Sequence, residues 1–393
     1  MSLEDRWLLP EGINEVLPPH AGYLESLRRA ILDLFQSWGY ELVVPPLIEY
    51  LESLLTGMGQ DLDLQTFKIT DQLTGRLMGI RADMTPQVAR IDAHYLKRDV
   101  PTRLCYLGPV LHTLPNGFGG SRNPFQVGAE LYGHAGLESD VEVLWLMLET
   151  LKLADLTSIW VDIGHMGIFR GLAQAAQLSV EQEGMLFDGL QRKAKPEIEV
   201  CLKDWGVDAR LREMLITLID LNGDIAILEA ADRSLALAAP SVRQALAELG
   251  SIAHLVQAQA SEVHFHFDLA DLRGYHYHTG VMFAAYIPGY GQALARGGRY
   301  NDIGQVFGRA RPATGFSTDL KTLICLQPQK IAAAGAIYAP WPKDPLLAAE
   351  IHRLRSAGNR VICALPGQTG GPEDLGCNRR LDRQGNQWVV VDL

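Results

Sequence analysis

The sequence predicts an α+β chain: an antiparallel-rich sheet with flanking helices, broken by a helical insertion and followed by a small α/β C-terminal domain. Three observations carry this reading. Short strand-like runs recur between Thr66 and Ile163 without the regular strand–helix alternation of a parallel, doubly wound sheet. From Phe169 to Ala253 the chain turns rich in Ala, Leu, Glu and Gln with helical periodicity, and strand signals then return at Val263, so the sheet is interrupted and later completed. After Pro328 a β-α-β pattern of little more than minimal domain size closes the chain.

Taken in order, Leu24, Leu27, Ile31, Leu34, Phe35 and Trp38 fall on one helical face, and Gly39 is placed to cap that helix. Tyr40 to Val44 reads as a strand that stops at Pro45-Pro46, because proline cannot donate into a ladder; that makes it an edge or interface element. Strands are expected at 66–70, 76–80, 104–111, 124–132 and 158–163, separated by turns or short helices. Others follow at 263–267, 279–286 and 292–296, then a helix from Gly315 to Leu326. The tail should hold strands at 336–339, 360–364 and 387–391 around a helix from Asp344 to Ala357 capped by Gly358.

At about 100–200 residues per domain, 393 residues allow two or three domains. Lys and Arg number 35 against 46 Asp and Glu, a net charge of −11, so no global positive field gathers nucleic acid. No stretch approaches the roughly 18 uncharged apolar residues of a membrane span. Five scattered cysteines without a CxxC pair imply reduced thiols, and the acidic start MSLEDRWLLPEG is unlike a signal peptide; both point to the cytoplasm.

On the strand Pro124 to Tyr132, alternation puts Gln126, Gly128 and Glu130 on one face and Phe125, Val127, Ala129 and Leu131 on the other. An amide, a bare backbone and a carboxylate backed by an apolar face either floor a ligand pocket, with glycine leaving room for the ligand, or face solvent. Arg81-Ala-Asp83-Met-Thr85-Pro86 precedes a helix, where Asp83 or Thr85 serves as an N-cap or as a ligand group. Arg273 opens an aromatic segment ending His278-Thr-Gly280, and Arg296-Gly-Gly-Arg299-Tyr300 sets two glycines between arginines, which suits a close anionic group. His264 with His266 and His276 with His278 form two H-x-H pairs that raise a zinc reading, but no cysteine or spaced acid joins them, and no metal is expected. Gly117 to Arg122 lacks the Lys-Ser/Thr of a phosphate loop and reads as a hairpin loop.

In this order the segments resemble the core of a class II aminoacyl-tRNA synthetase, specifically histidyl-tRNA synthetase, over most of residues 6 to 326. Tyr40 to Pro46 with its preceding helix resembles the first class motif, a dimer element; Arg81 to Thr85 resembles the R-P-E-G-T segment; Phe125 to Gly133 resembles the Q-F-G-V-E strand; Arg273 to Gly280 and Gly297 to Asp302 resemble the two histidine-specific segments. The resemblance divides the chain into a core at 1–168 and 254–327, an insertion at 169–253, and a tail at 328–393 similar to a truncated anticodon-binding domain. It implies that Asp83, Thr85 and Gln126 take an α-ammonium, Arg273 the α-carboxylate and Glu130 the imidazole N–H. Tyr277 is the retained tyrosine of a Tyr-Tyr pair whose second position is His278, and Arg81 and Arg299 are further pocket candidates.

The chain departs from the synthetase pattern where ATP phosphates are held. His112 stands at the second-motif arginine and Leu114 at its acidic partner, and Lys321-Thr322 replaces the Glu-Arg of the third motif. Two lost charge-assisted contacts, at roughly 1.5–3 kcal/mol each, should cripple adenylation. A chain with a histidine pocket and no ATP chemistry is similar to the regulatory subunits of ATP phosphoribosyltransferase. That resemblance implies a non-catalytic chain needing no cofactor, a short-form catalytic subunit as partner, L-histidine as effector in feedback control, a self-dimer through the first-motif helix and strand, a hetero-octamer, and no tRNA or membrane. The alternatives are an active histidyl-tRNA synthetase and a histidine-sensing subunit of a different enzyme.

Overall fold

The computed structural model describes residues 7–55, 60–115, 120–271, 278–326 and 335–393. The chain divides into two compact units, one of residues 1–17 and 21–327, the other of 18–20 and 328–393.

The first unit is organised by a nine-stranded sheet. Its order across the sheet is Glu41–Leu42, Thr102–Pro109, Phe125–Tyr132, Ala313–Asp319, Ala295–Arg299, Val281–Tyr286, Trp160–His165, His264–Asp268 and Asn222–Gly223. The six strands from Thr102–Pro109 to Trp160–His165 are joined by antiparallel pairings, while Glu41–Leu42 runs parallel to Thr102–Pro109, and His264–Asp268 parallel to Trp160–His165 but antiparallel to Asn222–Gly223. One face carries Val127, Ala129, Leu131, Phe316, Val161 and Ile163, all buried. It packs in the main core with Leu27, Ile31 and Phe35 of helix His20–Ser37 and with helix Leu137–Leu153. Helices on one face leave the other for a site.

The expected helix from Gly315 is a correction. Ala313–Asp319 is a central strand, and the helix runs only from Leu320 to Cys325. Phe316, Leu320, Leu323 and Ile324 recur at helical spacing, yet Phe316 reaches the core by strand alternation. Helix Leu137–Leu153 lies where only turns or short helices were expected; its period is written in the narrow polar stripe Glu138, Glu142, Glu149 and Lys152, opposite a broad buried face. The segment after Trp160–His165 forms six helices between Met166 and Gln259. It is not wholly helical, since Asn222–Gly223 adds a two-residue strand to the sheet edge.

In the second unit the strand order is Val361–Cys363, Ala336–Ala339, Cys377–Gln384 and Gln387–Asp392, with helix Pro345–Ser356 packed on it through Leu347, Ile351 and Leu354. Strand Cys377–Gln384 was not anticipated: in CNRRLDRQ only Leu381 is a large apolar residue turned to the core.

Candidate functional site

The candidate site grows from the free face of the sheet. In the register, Glu130 lies between Leu104 and Gly315, Gly128 between Tyr106 and Ser317, and Gln126 between Gly108 and Asp319, so side chains from three strands stand side by side. Glu130 is only 1% exposed, which removes the solvent-facing reading of this strand. Its Oε1 accepts the Tyr106 hydroxyl at 2.9 Å, and its Oε2 accepts the Tyr300 hydroxyl. Burial pushes the Glu130 carboxyl up to about 8, against the opposing pull of those two hydroxyls.

Gly128 makes room for the protein rather than for a ligand. A side chain there would run into the Tyr106 hydroxyl, and one at Gly315 would run into the Glu130 carboxylate. Gly128→Ala is therefore expected to push Tyr106 off Glu130 and to lower stability by about 1–3 kcal/mol, read as a shift in the denaturant midpoint at constant slope.

The helix Thr85–Arg90 starts with Pro86 in its first turn, and its N-cap residue Met84 makes no side-chain cap. Asp83 instead organises the approach. Its Oδ1 accepts the Thr85 amide at 3.0 Å, the Thr85 hydroxyl at 3.1 Å and Gln126 Nε2 at 2.8 Å. The Gln126 amide is oriented from both ends, because Oε1 accepts the Met84 amide at 3.0 Å while Nε2 also reaches Ser317 Oγ at 3.2 Å. Thr85 Oγ1 stands 3.1 Å from the Tyr106 hydroxyl. Asp83, Thr85, Gln126 and Glu130 thus belong to one hydrogen-bonded network with Tyr106 at its junction. Asp83 is half-buried, and among the described residues its Oδ2 carries no donor, so that oxygen is free for a cationic ligand.

Arg273 and Tyr277 lie outside the described residues. Arg81 and Arg299 are both buried; Arg299 is spent within the protein, while Arg81 is held there through Nε and Nη1, with Nη2 beside Gly108. Arg81 donates to the carbonyls of Pro109 at 2.9 Å, Pro45 at 2.7 Å and Pro46 at 3.4 Å. Arg299 binds Asp140 Oδ2 at 2.7 Å and 3.0 Å, the carbonyls of His134 and Gly136, and Ser139 Oγ. Arg299, with every guanidinium nitrogen engaged, is corrected from pocket candidate to strut, whereas Arg81 braces Pro45, Pro46 and Pro109. Asp140 is 3% exposed, and burial raises its pKa against the opposing pull of Arg299.

Tyr106 and Tyr300 were missed as functional residues. Tyr300 ends the Arg299-Tyr300 segment and had a motif to find it by; Tyr106 had only its register opposite Gly128. At the phosphate positions, His112 Nε2 bonds the Ala82 carbonyl at 2.9 Å, Lys321 Nζ the Asn14 carbonyl at 3.0 Å, and Thr322 Oγ1 Asp319 Oδ2 at 2.8 Å. Of the H-x-H histidines, His264 stacks on Trp160 and His266 Nδ1 lies 3.2 Å from Asp162, while His276 is outside the described residues. Among the described residues no three metal-binding side chains cluster, and no helix is long and apolar enough to cross a membrane.

This sheet and site define a histidyl-tRNA synthetase-like protein of the class II fold: the histidyl-tRNA synthetase family model matches residues 12–323, and a histidyl-tRNA synthetase from Nostoc superposes with a TM-score of 0.76 at 18% identity over 98% of this chain and 97% of that one. Residues 334–391 match the C-terminal domain of the ATP phosphoribosyltransferase subunit HisZ. The ATP phosphoribosyltransferase regulatory subunit of Thioalkalivibrio sulfidiphilus is 61% identical over the whole of both chains, and that of Alkalilimnicola ehrlichii is 56% identical over 100% of this chain and 98% of its own. A Bacillus halodurans structure described as an ATP phosphoribosyltransferase regulatory subunit/histidyl-tRNA synthetase gives a TM-score of 0.80 at 27% identity, covering 94% of this chain and 95% of that one. The chain belongs to the ATP phosphoribosyltransferase regulatory subunit family.

Proposed function

We propose that this chain is the non-catalytic regulatory subunit that a short-form ATP phosphoribosyltransferase needs for the first step of L-histidine biosynthesis, and that it reports L-histidine through the Glu130 pocket. The carrying observation is a contrast within one site. The groups suited to an amino acid converge, while the groups at the ATP positions are tied into the protein. Asp83 Oδ2, Thr85 and the Gln126 amide suit an α-ammonium, and Glu130, buried between two tyrosine hydroxyls, suits an imidazole N–H. Arg273 for the α-carboxylate and Tyr277 for the ring come from the family resemblance.

Adenylation needs cations on the α- and γ-phosphates. A histidine bonded to a carbonyl, a lysine bonded to a carbonyl and a threonine bonded to a carboxylate cannot supply bidentate donors. Feedback control follows if histidine binds one conformation of the assembly better than another; a tenfold preference supplies about 1.4 kcal/mol of coupling without contact with the catalytic centre. A self-dimer across the first-motif edge is supported by the exposed apolar side chains of Leu42, Val44, Leu47 and Ile48 beside that edge strand. The hetero-octamer and the absence of a tRNA substrate follow the family.

The test is paired. Histidine-dependent exchange of pyrophosphate into ATP should stay at background, also in His112→Arg, and histidine titrated into the chain with its short-form catalytic partner should inhibit phosphoribosyl-ATP formation. Robust exchange would make the chain a synthetase; inhibition that does not depend on this chain would remove it from feedback control.

A further inference from the structure

Arg122 joins the start of the chain to the loop that carries Asp83. Its amide donates to the Gly12 carbonyl at 2.7 Å and its Nη1 to the Glu11 carbonyl at 3.0 Å. Its Nε donates to the His112 carbonyl at 3.1 Å, and the His112 amide returns a bond to the Arg122 carbonyl at 2.8 Å. The guanidinium also lies 5.4 Å from the centre of the Phe67 ring.

From His112 the connection continues inward. The Ala82 carbonyl can only accept, so the Nε2 that bonds it carries the hydrogen and Nδ1 is an acceptor, buried and unpartnered. Ala82 precedes Asp83, and the Leu111 amide binds the Arg81 carbonyl at 3.0 Å in the same loop. On the other side, Asn14 exchanges two bonds of 3.1 Å with Asn123 and gives its carbonyl to Lys321 Nζ. Residues 11–14 therefore bond Lys321 of the third-motif segment directly and reach His112 of the second through Arg122. Gly12 sits at φ +75°, and a Cβ there would meet Arg122 Cγ and Cδ at 2.9 Å, so the crossing admits only glycine. Upstream of the crossing, Trp7, Leu8 and Leu9 are 83%, 75% and 48% exposed.

The geometry points to a strap: residues 11–14 have a clamped and a released state, and the chain of contacts Arg122–His112–Ala82–Asp83 links the clamped state to a filled amino-acid pocket. Arg122 and His112 are positioning residues in this scheme, since they touch the loop rather than the ligand. This inference rests on histidine being the occupant of the Glu130 pocket. It adds that histidine settles the Asp83 loop, that the settled loop holds His112 and Arg122 in place, and that the N-terminal arm is ordered or loosened with them. A position that would serve nucleotide chemistry in a synthetase thereby serves as a relay between the effector and the arm.

Amide exchange of the full-length chain, with and without saturating L-histidine, together with calorimetric affinities for wild type, Gly12→Ala and Arg122→Lys, tests this. Histidine should slow exchange in residues 11–14 of the wild type at least about threefold. Both variants should bind histidine about five- to tenfold more weakly, and the ligand-dependent slowing should vanish in them even at saturation, which a purely structural role would not produce. If Gly12→Ala does not fold, Arg122→Lys carries the test alone, because it keeps the charge but cannot reach both carbonyls. Wild-type binding with unchanged exchange and variant affinities equal to wild type overturns the strap and leaves the histidine site standing. A wild-type chain that does not bind histidine overturns both.

Discussion

Histidine is expected to stabilise the wild type thermally and Glu130→Gln to lose that stabilisation, with affinity reduced roughly ten- to hundredfold, the equivalent of one charge-assisted hydrogen bond at about 1.5–3 kcal/mol. The fold should survive, because glutamine has the same volume and its carbonyl still accepts from Tyr106 or Tyr300. The substitution has a second signature without ligand. Burial lifts the folded-state pKa of Glu130 from the ordinary carboxyl value of 4.5 to about 8, so the native state holds its proton more tightly than the unfolded chain. Wild-type stability should therefore fall as pH rises between those values, and Glu130→Gln should flatten that slope. Thermal unfolding between about pH 5 and about pH 8, with and without histidine, reads both effects. A variant stabilised by histidine as strongly as wild type would place the effector elsewhere.

Histidine affinity should peak between the pKa of free imidazole, about 6.5, and the value of about 8 of Glu130 in the empty pocket. In the proposed complex the imidazole–Glu130 pair would share one proton. Below about pH 6.5 both free partners carry a proton, so binding releases one and weakens up to tenfold per pH unit of acidification. Above the Glu130 value neither carries one, so binding takes one up and weakens equally on the alkaline side. Between the limits the count is unchanged. Calorimetry in two buffers of different ionisation enthalpy measures these protons directly, and a monotonic pH profile would mean that Glu130 does not face the ring.

The shared face of Gln126 and Glu130 was legible from strand alternation, and a helix start beside Asp83 and Thr85 from Pro86; only the family resemblance joined the four residues into one candidate site. Tyr106 was not legible, since its role depends on the cross-strand register opposite Gly128, which no local pattern states. Arg299 misled for the same reason. An arginine that binds a ligand and one that holds distant carbonyls read alike until the chain is folded. From Gly315 onward, strand Ala313–Asp319 reads as helix because the apolar spacing running into the next element outweighs its own alternation. Strand Cys377–Gln384 escaped because an edge-adjacent strand with one buried leucine leaves too little apolar signal. The arm at residues 11–14 shows nothing locally beyond one glycine; its meaning is entirely in the residues it meets.

Arg81 fastens Pro45 and Pro46, just beyond the outermost strand of the sheet, to the stretch that delivers Asp83. Those prolines are thereby tied to the Asp83 loop, so if L-histidine binds at Glu130 as proposed, a subunit joining along that rim is coupled to its binding. Saturating L-histidine should then slow subunit exchange between differently labelled copies, which makes the lifetime of the assembly the readout of that tie.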